Sequence, residues 1–190
     1  MSWGRTDVFG QIGIFLIDTA VTLLVYLLLA RFHFQWLRVP FRNPLGEFVL
    51  ATTNWVVMPA RRVVPSVAGF DLATLALAWL AQALGLWAQL SIAGAEPTAL
   101  ALIAVAGVDL VRYSVYILIF AVFVQVAISW INPDAPLGPL FDLVTRPFLR
   151  PLRRYVPPVG RVDLTPLVLL VILYVLLIPL NYVRVAAAGL

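Results

Sequence analysis

The chain contains no cysteine and no lysine, and its one histidine is His33. Without cysteine there are no disulfides, thiolate metal sites, haem attachments through paired cysteines or cysteine nucleophiles. A lone histidine, set among Phe32, Phe34 and Trp36, supports neither a Ser-His-Asp set nor a bis-histidine haem within one chain, and reads as an interfacial residue. Charged residues are scarce as well, 12% of the whole, and the acids are scattered rather than placed at metal-ligand spacing. No glycine-rich phosphate loop is present. Neither an enzyme nor a cofactor is expected. Since lysine is absent, all thirteen basic residues are arginines, and the net charge of +4 rests on guanidinium groups alone. Arginine grips phosphate in a planar fork, which points to anionic lipid headgroups. Nucleic acid is not expected as a partner, because no soluble domain or basic face interleaved with aromatics is there to bind it.

What fills the chain is apolar. Hydrophobic residues make up 63% of 190, and the mean hydropathy is +0.99, which places the chain among polytopic membrane proteins. Residues 1–9 lack the basic region and small-residue cleavage site of a signal peptide, so the first helix is expected to be retained. Residues 10–30 are long enough to span the hydrocarbon core, and residues 72–93 form a second span. A third apolar run reaches Ile131 and is longer than one untilted span needs. We expect its span at 108–130, with 97–106 as an interfacial or re-entrant piece; one long tilted helix is the alternative. The fourth span is expected at 164–185, with Pro179 as a kink.

The chain is also a duplication. Pro59, Arg61, Arg62, Val64, Pro65, Val67, Asp71 and Leu72 recur, at a spacing of 92 residues and without a gap, as Pro151, Arg153, Arg154, Val156, Pro157, Val159, Asp163 and Leu164. The register reaches back to Pro44-Leu45-Gly46 and Pro136-Leu137-Gly138. The expected fold is all-α: two parallel tandem repeats, residues 1–94 and 95–190, in one integrated membrane domain. Each repeat is a span, a connector and a span. Four transmembrane helices result, with in-plane amphipathic segments before spans 2 and 4.

Orientation follows from the arginines. Each long connector holds five of them: Arg31, Arg38, Arg42, Arg61 and Arg62 in the first, and Arg146, Arg150, Arg153, Arg154 and Arg161 in the second. The positive-inside tendency puts both connectors in the cytoplasm and both termini outside. Residues 46–60 are too apolar for a free loop and too short to span, so they read as a helix lying along or dipping into the interface and ending near Pro59. In residues 137–155, Leu137, Leu140, Phe141, Val144, Phe148 and Leu152 share one helical arc, and Asp142, Arg146, Arg150, Arg153 and Arg154 share the opposite one. Because Pro147 removes a helix donor, this segment is expected as two short pieces, the second opened by Pro147. Its arginines either enforce topology or form a docking surface for lipid or a cytoplasmic partner.

The full second copy, Arg146 to Pro166, reads R-P-F-L-R-P-L-R-R-Y-V-P-P-V-G-R-V-D-L-T-P, and with the fainter first copy it resembles the YggT (YlmG) family of small bacterial and plastid membrane proteins. The first copy departs from the pattern, with Ser66 for Pro158, Ala68 for Gly160 and Thr74 for Pro166. The resemblance implies a bacterial cytoplasmic membrane protein connected with cell division and nucleoid distribution, with osmotic tolerance through ion uptake, or, in plastid relatives, with maturation of a cytochrome b complex. It brings no catalytic residues. The motif residues it singles out are Arg61, Arg62, Asp71, Arg146, Arg150, Arg153, Arg154, Pro157, Gly160 and Asp163.

Asp18, Asp109 and Arg112 lie within the spans, where an unpaired ion is costly. Asp109 and Arg112 are three apart and can neutralise each other, and Asp18 is expected at a similar depth, within reach of both. Such a group reads as an interhelix pair or as part of a cation or proton path. Asp71 and Asp163 each stand just before a span and fit an N-cap. Arg61 or Arg62 is expected within salt-bridge range of Asp71, and Arg153 or Arg154 of Asp163, so that each pair clasps an in-plane segment to the next span. Two functions follow: a non-enzymatic membrane scaffold or accessory factor engaging lipid or an assembly or division partner, or a small oligomeric cation channel or transporter subunit.

Overall fold

The computed structural model describes residues 8–66, 69–132, 134–156 and 163–189, and among them every regular element is a helix. In chain order these are α1 (Val8–Trp36), α2 (Pro44–Ala60), α3 (Leu72–Ile92), α4 (Ala99–Ile131), α5 (Gly138–Leu152) and α6 (Thr165–Ala188). α1, α3, α4 and α6 are long and apolar enough to cross a membrane. α2 and α5 have 17 and 15 residues, about 22–26 Å of helix, less than the ~30 Å hydrocarbon core.

The helix starts follow from their caps. Asn43 Oδ1 accepts from the Gly46 amide at 2.8 Å, with Pro44 in the first turn where its missing donor costs nothing. Thr98 Oγ1 accepts from the Ala101 amide at 3.1 Å and opens α4. α5 has no side-chain cap: Ala135 stands where the first repeat has Asn43, and the helix starts two residues later in the repeat register.

Three expectations on helix limits are corrected. α4 is one helix of 33 residues, with no separate piece at 97–106. Nothing from Ala99 to Ile131 breaks it, because no proline occurs there and the charges at Asp109 and Arg112 are neutralised rather than expelled. At about 50 Å it exceeds the hydrocarbon thickness, so it tilts or projects. α5 is likewise continuous through Pro147 and Pro151 instead of two pieces. These prolines are four apart on one exposed face, so the carbonyls they orphan point where water or headgroups supply partners. α1 runs six residues beyond the expected limit, to Trp36. α6 passes through Pro179 as a single helix.

Helix directions are those of parallel repeats. α1 and α3 are antiparallel, Val21 meeting Gly85 and Asp18 meeting Gln89. α1 and α4, the opening spans of the two repeats, run the same way: Tyr26 packs on Tyr113 with ring centroids 5.0 Å apart, and further along Phe34 shares a cluster with Ala121. That cluster takes Leu140, Phe141 and Val144 from α5, so this short helix of the second repeat also packs on the first repeat. Val25, Leu28 and Leu29 of α1 meet Val57, Ala78 and Leu110 in one core, and Val115 and Val122 of α4 meet Leu149, Leu169, Leu173 and Leu177 in another.

The α1–α3 contact is set by Gly85. A methyl group there would lie 2.7 Å from Val21 Cγ1, and a valine on a helix has little χ1 freedom to yield. Gly85→Ala is therefore expected to destabilise the protein by about 1–2 kcal/mol despite alanine's better helix propensity. Gly107→Ala is the control, because its nearest neighbour is the Trp79 indole nitrogen at 3.7 Å. Melting of both variants in mild detergent should show the first lowered and the second not; equal melting would contradict the close packing.

Candidate functional site: two clasps and an intramembrane ion cluster

The repeated arginine and aspartate of each motif come together. Arg61 Nη2 lies 2.5 Å from Asp71 Oδ2, and Arg153 Nε lies 3.1 Å from Asp163 Oδ2. In both copies the first arginine of the pair makes the clasp; Arg62 and Arg154 are exposed and form no ion pair among the described residues.

The two clasps differ in depth. The Asp71 side chain is fully buried: it accepts from the Thr74 amide at 3.3 Å, from the Thr74 hydroxyl and from Arg61, whose Nη2 also donates to Gln35 Oε1 at 2.8 Å. Burial pushes the Asp71 carboxyl up, but Arg61 and Thr74 outweigh it and hold it below the ordinary carboxylate value. Beside Asp71 in the chain, Phe70 stacks on Phe32 at a centroid distance of 6.4 Å and lies tilted against Trp36 at 6.3 Å. In the second repeat the Asp163 side chain is 41% exposed. Its carboxylate sits one residue ahead of the cap position, which Leu164 holds, and accepts from the Thr165 amide at 2.9 Å. Burial pushes the Asp163 carboxyl up, and Thr165 and Arg153 again bring it below its ordinary value. Pro157 and Gly160 lie outside the described residues.

A second repeated contact was absent from the sequence reading. Thr53 and Thr145, 92 residues apart, are both fully buried, and each bonds the span that precedes it. Arg31 Nη1 donates to Thr53 Oγ1 at 2.8 Å and to Asn54 Oδ1 at 2.9 Å, while Thr145 Oγ1 donates to Gln125 Oε1 at 2.6 Å. Arg31 and Gln125 each stand five residues before a tryptophan, Trp36 and Trp130. The identity of the two threonines in the duplicated register was the available signal.

The ion cluster forms around Asp109, which is fully buried in α4. Arg112 Nη1 approaches its Oδ1 at 2.8 Å, and Arg184 of α6 approaches the same oxygen through Nε at 2.6 Å. Arg184 Nη2 donates to Oδ2 at 3.3 Å, and Gln82 of α3 donates to Oδ2 at 3.1 Å. One carboxylate thus ties three spans together. The expected meeting with Asp18 does not occur: Asp18 is exposed on α1 and accepts from Gln89 at 3.3 Å, and no ion pair among the described residues joins it to Arg112. Arg184 takes that place. The reason is topological, since α4 packs extensively on α6 and only lightly on α1.

His33 engages the Leu29 carbonyl through Nδ1 at 2.6 Å, as a helix residue satisfied within its own turn. Among the described residues, no three His, Cys, Asp or Glu side chains gather as a metal site would require. On α5, Leu140, Phe141, Val144 and Leu149 are buried against the spans, while Arg146, Arg150, Arg153 and Arg154 are exposed on and just beyond the helix.

Four apolar spans and two short helices, repeated in parallel and fastened by an arginine–aspartate clasp in each half, define a small polytopic membrane protein built by duplication. The chain belongs to the CCB3/YggT family, whose model matches residues 10–91 and again 104–183. It is 32% identical over 164 residues to the Escherichia coli K12 protein named YggT, covering 85% of each chain. It is 29% identical over 160 residues to a Vibrio alginolyticus protein described by its place in the proC 3′ region, covering 83% of this chain and 86% of that one. The Pseudomonas aeruginosa protein PA0392 is 29% identical over 159 residues, with 82% and 81% covered. No solved structure matches.

Proposed function

We propose that this protein is a non-enzymatic scaffold or accessory factor of the bacterial cytoplasmic membrane, engaging anionic lipid or an assembly or division partner through its arginine-bearing connectors. Both connectors face the cytoplasm and both termini face outward. The observation that carries the reading is α5, whose apolar side is used up by packing on the spans while four arginines stay exposed on a rigid support. Each arginine at an anionic surface contributes about 1 kcal/mol, enough together to hold a headgroup patch or an acidic partner. Clasps and buried threonines fix this surface to the spans, as a docking platform requires. Against a cation path stands the Asp109 carboxylate, whose oxygens are occupied by two arginines and a glutamine.

Pure protein in liposomes is expected to produce no potassium, sodium or proton flux above that of empty vesicles; reproducible flux would overturn the scaffold in favour of an oligomeric cation channel. A C-terminal alkaline phosphatase fusion should be active, and an inactive one would reverse the orientation.

A further inference from the structure

The two clasps occupy equivalent places, yet only the first has its carboxylate buried. In the first repeat Arg61 bridges Asp71 to Gln35, and Thr74 fills the space beneath. In the second repeat Pro166 stands where the first has Thr74, and Ser129, beside Trp130 as Gln35 is beside Trp36, stands where the first has Gln35; neither bonds its clasp. A cleft of about 600 Å³ opens there between α4 and α6. Arg153 and Asp163 stand at its polar end with Gln125 and Ser129, and Phe123, Leu167 and Leu170 line its apolar length. The Arg153 side chain is 50% exposed against 33% for Arg61, and among the described residues it bonds only through Nε, leaving both terminal nitrogens for an acceptor.

We infer that this cleft binds one anionic phospholipid, its phosphate on Arg153 and one acyl chain along Phe123, Leu167 and Leu170, and that the first repeat has no such site. The chemistry is that of an amphiphile. A guanidinium with free donors suits a phosphate, Trp130 at the rim suits the headgroup level, and Leu167 and Leu170 of α6 facing Phe123 and Val126 of α4 suit a chain. Asp163 holds Arg153 over the cleft through Nε without covering the terminal nitrogens. The inference rests on the reading above only in placing this end of α4 at the anionic cytoplasmic leaflet.

Native mass spectrometry of the full chain, titrated with phosphatidylglycerol and phosphatidylcholine of equal chain length, tests it. One phosphatidylglycerol should bind about fivefold more tightly than phosphatidylcholine, the worth of one arginine at an anionic surface. Arg153→Gln should abolish that preference, and Leu80→Trp, a change on the exposed side of α3 outside the cleft, should leave it intact. Leu170→Trp, which keeps the clasp and fills the cleft, should lose the bound lipid altogether. Equal binding of the two lipids by the parent chain, or undiminished binding by Leu170→Trp, would overturn the site. Lipid preference in a protein that also conducts ions would retire the scaffold reading and keep the cleft.

Discussion

Asp109→Leu is expected to be the most damaging single substitution in this protein, removing it from the membrane fraction or lowering its melting temperature in detergent far below that of the parent. The substitution deletes the one carboxylate that Arg112 and Arg184 share and leaves both guanidinium groups without a counterion among apolar spans. Breaking a buried pair from one side costs about 3–5 kcal/mol, a large part of the ~5–15 kcal/mol that holds a typical domain together. Removing the arginines as well should reverse most of the loss, because the charge has then gone with its partners. The triple variant Asp109→Leu, Arg112→Met, Arg184→Met is thus expected to melt closer to the parent than Asp109→Leu alone. Parental melting of Asp109→Leu would show that the cluster is not structural, and normal abundance with altered flux would point to a conduction path.

The second large effect is an asymmetry between the clasps. Asp71→Ala should cost about 3 kcal/mol, since it orphans a helix start and takes from Arg61 its buried counterion. Asp163→Ala should cost no more than about 1 kcal/mol, because the Asp163 and Arg153 side chains are about half in solvent. The same geometry sets the pH dependence. Both carboxyls lie below their ordinary values in the folded protein, so their contribution is complete above the unfolded value of about 4 and is lost as pH falls through the lower folded values. Melting temperature should stay level from neutral pH to about 5 as far as these groups decide it, then fall in stronger acid, with a smaller acid step in Asp71→Ala than in Asp163→Ala. Equal losses in the two variants would contradict the difference in burial.

Much of this was legible in the chain itself. Runs of about twenty apolar residues fix spans, because an uncharged helix of that length has no other stable solvent. A repeat at a constant spacing fixes two equivalent halves, and an even number of spans per half makes those halves parallel, which α1 and α4 obey at Tyr26 and Tyr113. The clasps were legible too, since Arg61 and Asp71 recur in register with Arg153 and Asp163 and so few other charges compete.

Helix continuity was not legible. Pro147 and Pro151 break a helix only if their orphaned carbonyls are buried, and their placement on the exposed face of α5 is a property of how that helix packs. Asp109 and Arg112 read as an interruption of the third run until Arg184, 75 positions away from Asp109, arrives to neutralise them. The partner of an intramembrane charge depends on which spans are neighbours, and apolar helices of similar composition carry no mark of that choice. The sequence by itself determined the membrane class, the duplication and the local pairing within each motif, because hydropathy and short-range charge act along the chain. Only the tertiary structure decided that α6 rather than α1 completes the ion cluster, and that one clasp has its carboxylate buried while its twin's is exposed. Those outcomes depend on side chains from separate helices meeting at ångström distances, after the spans have packed.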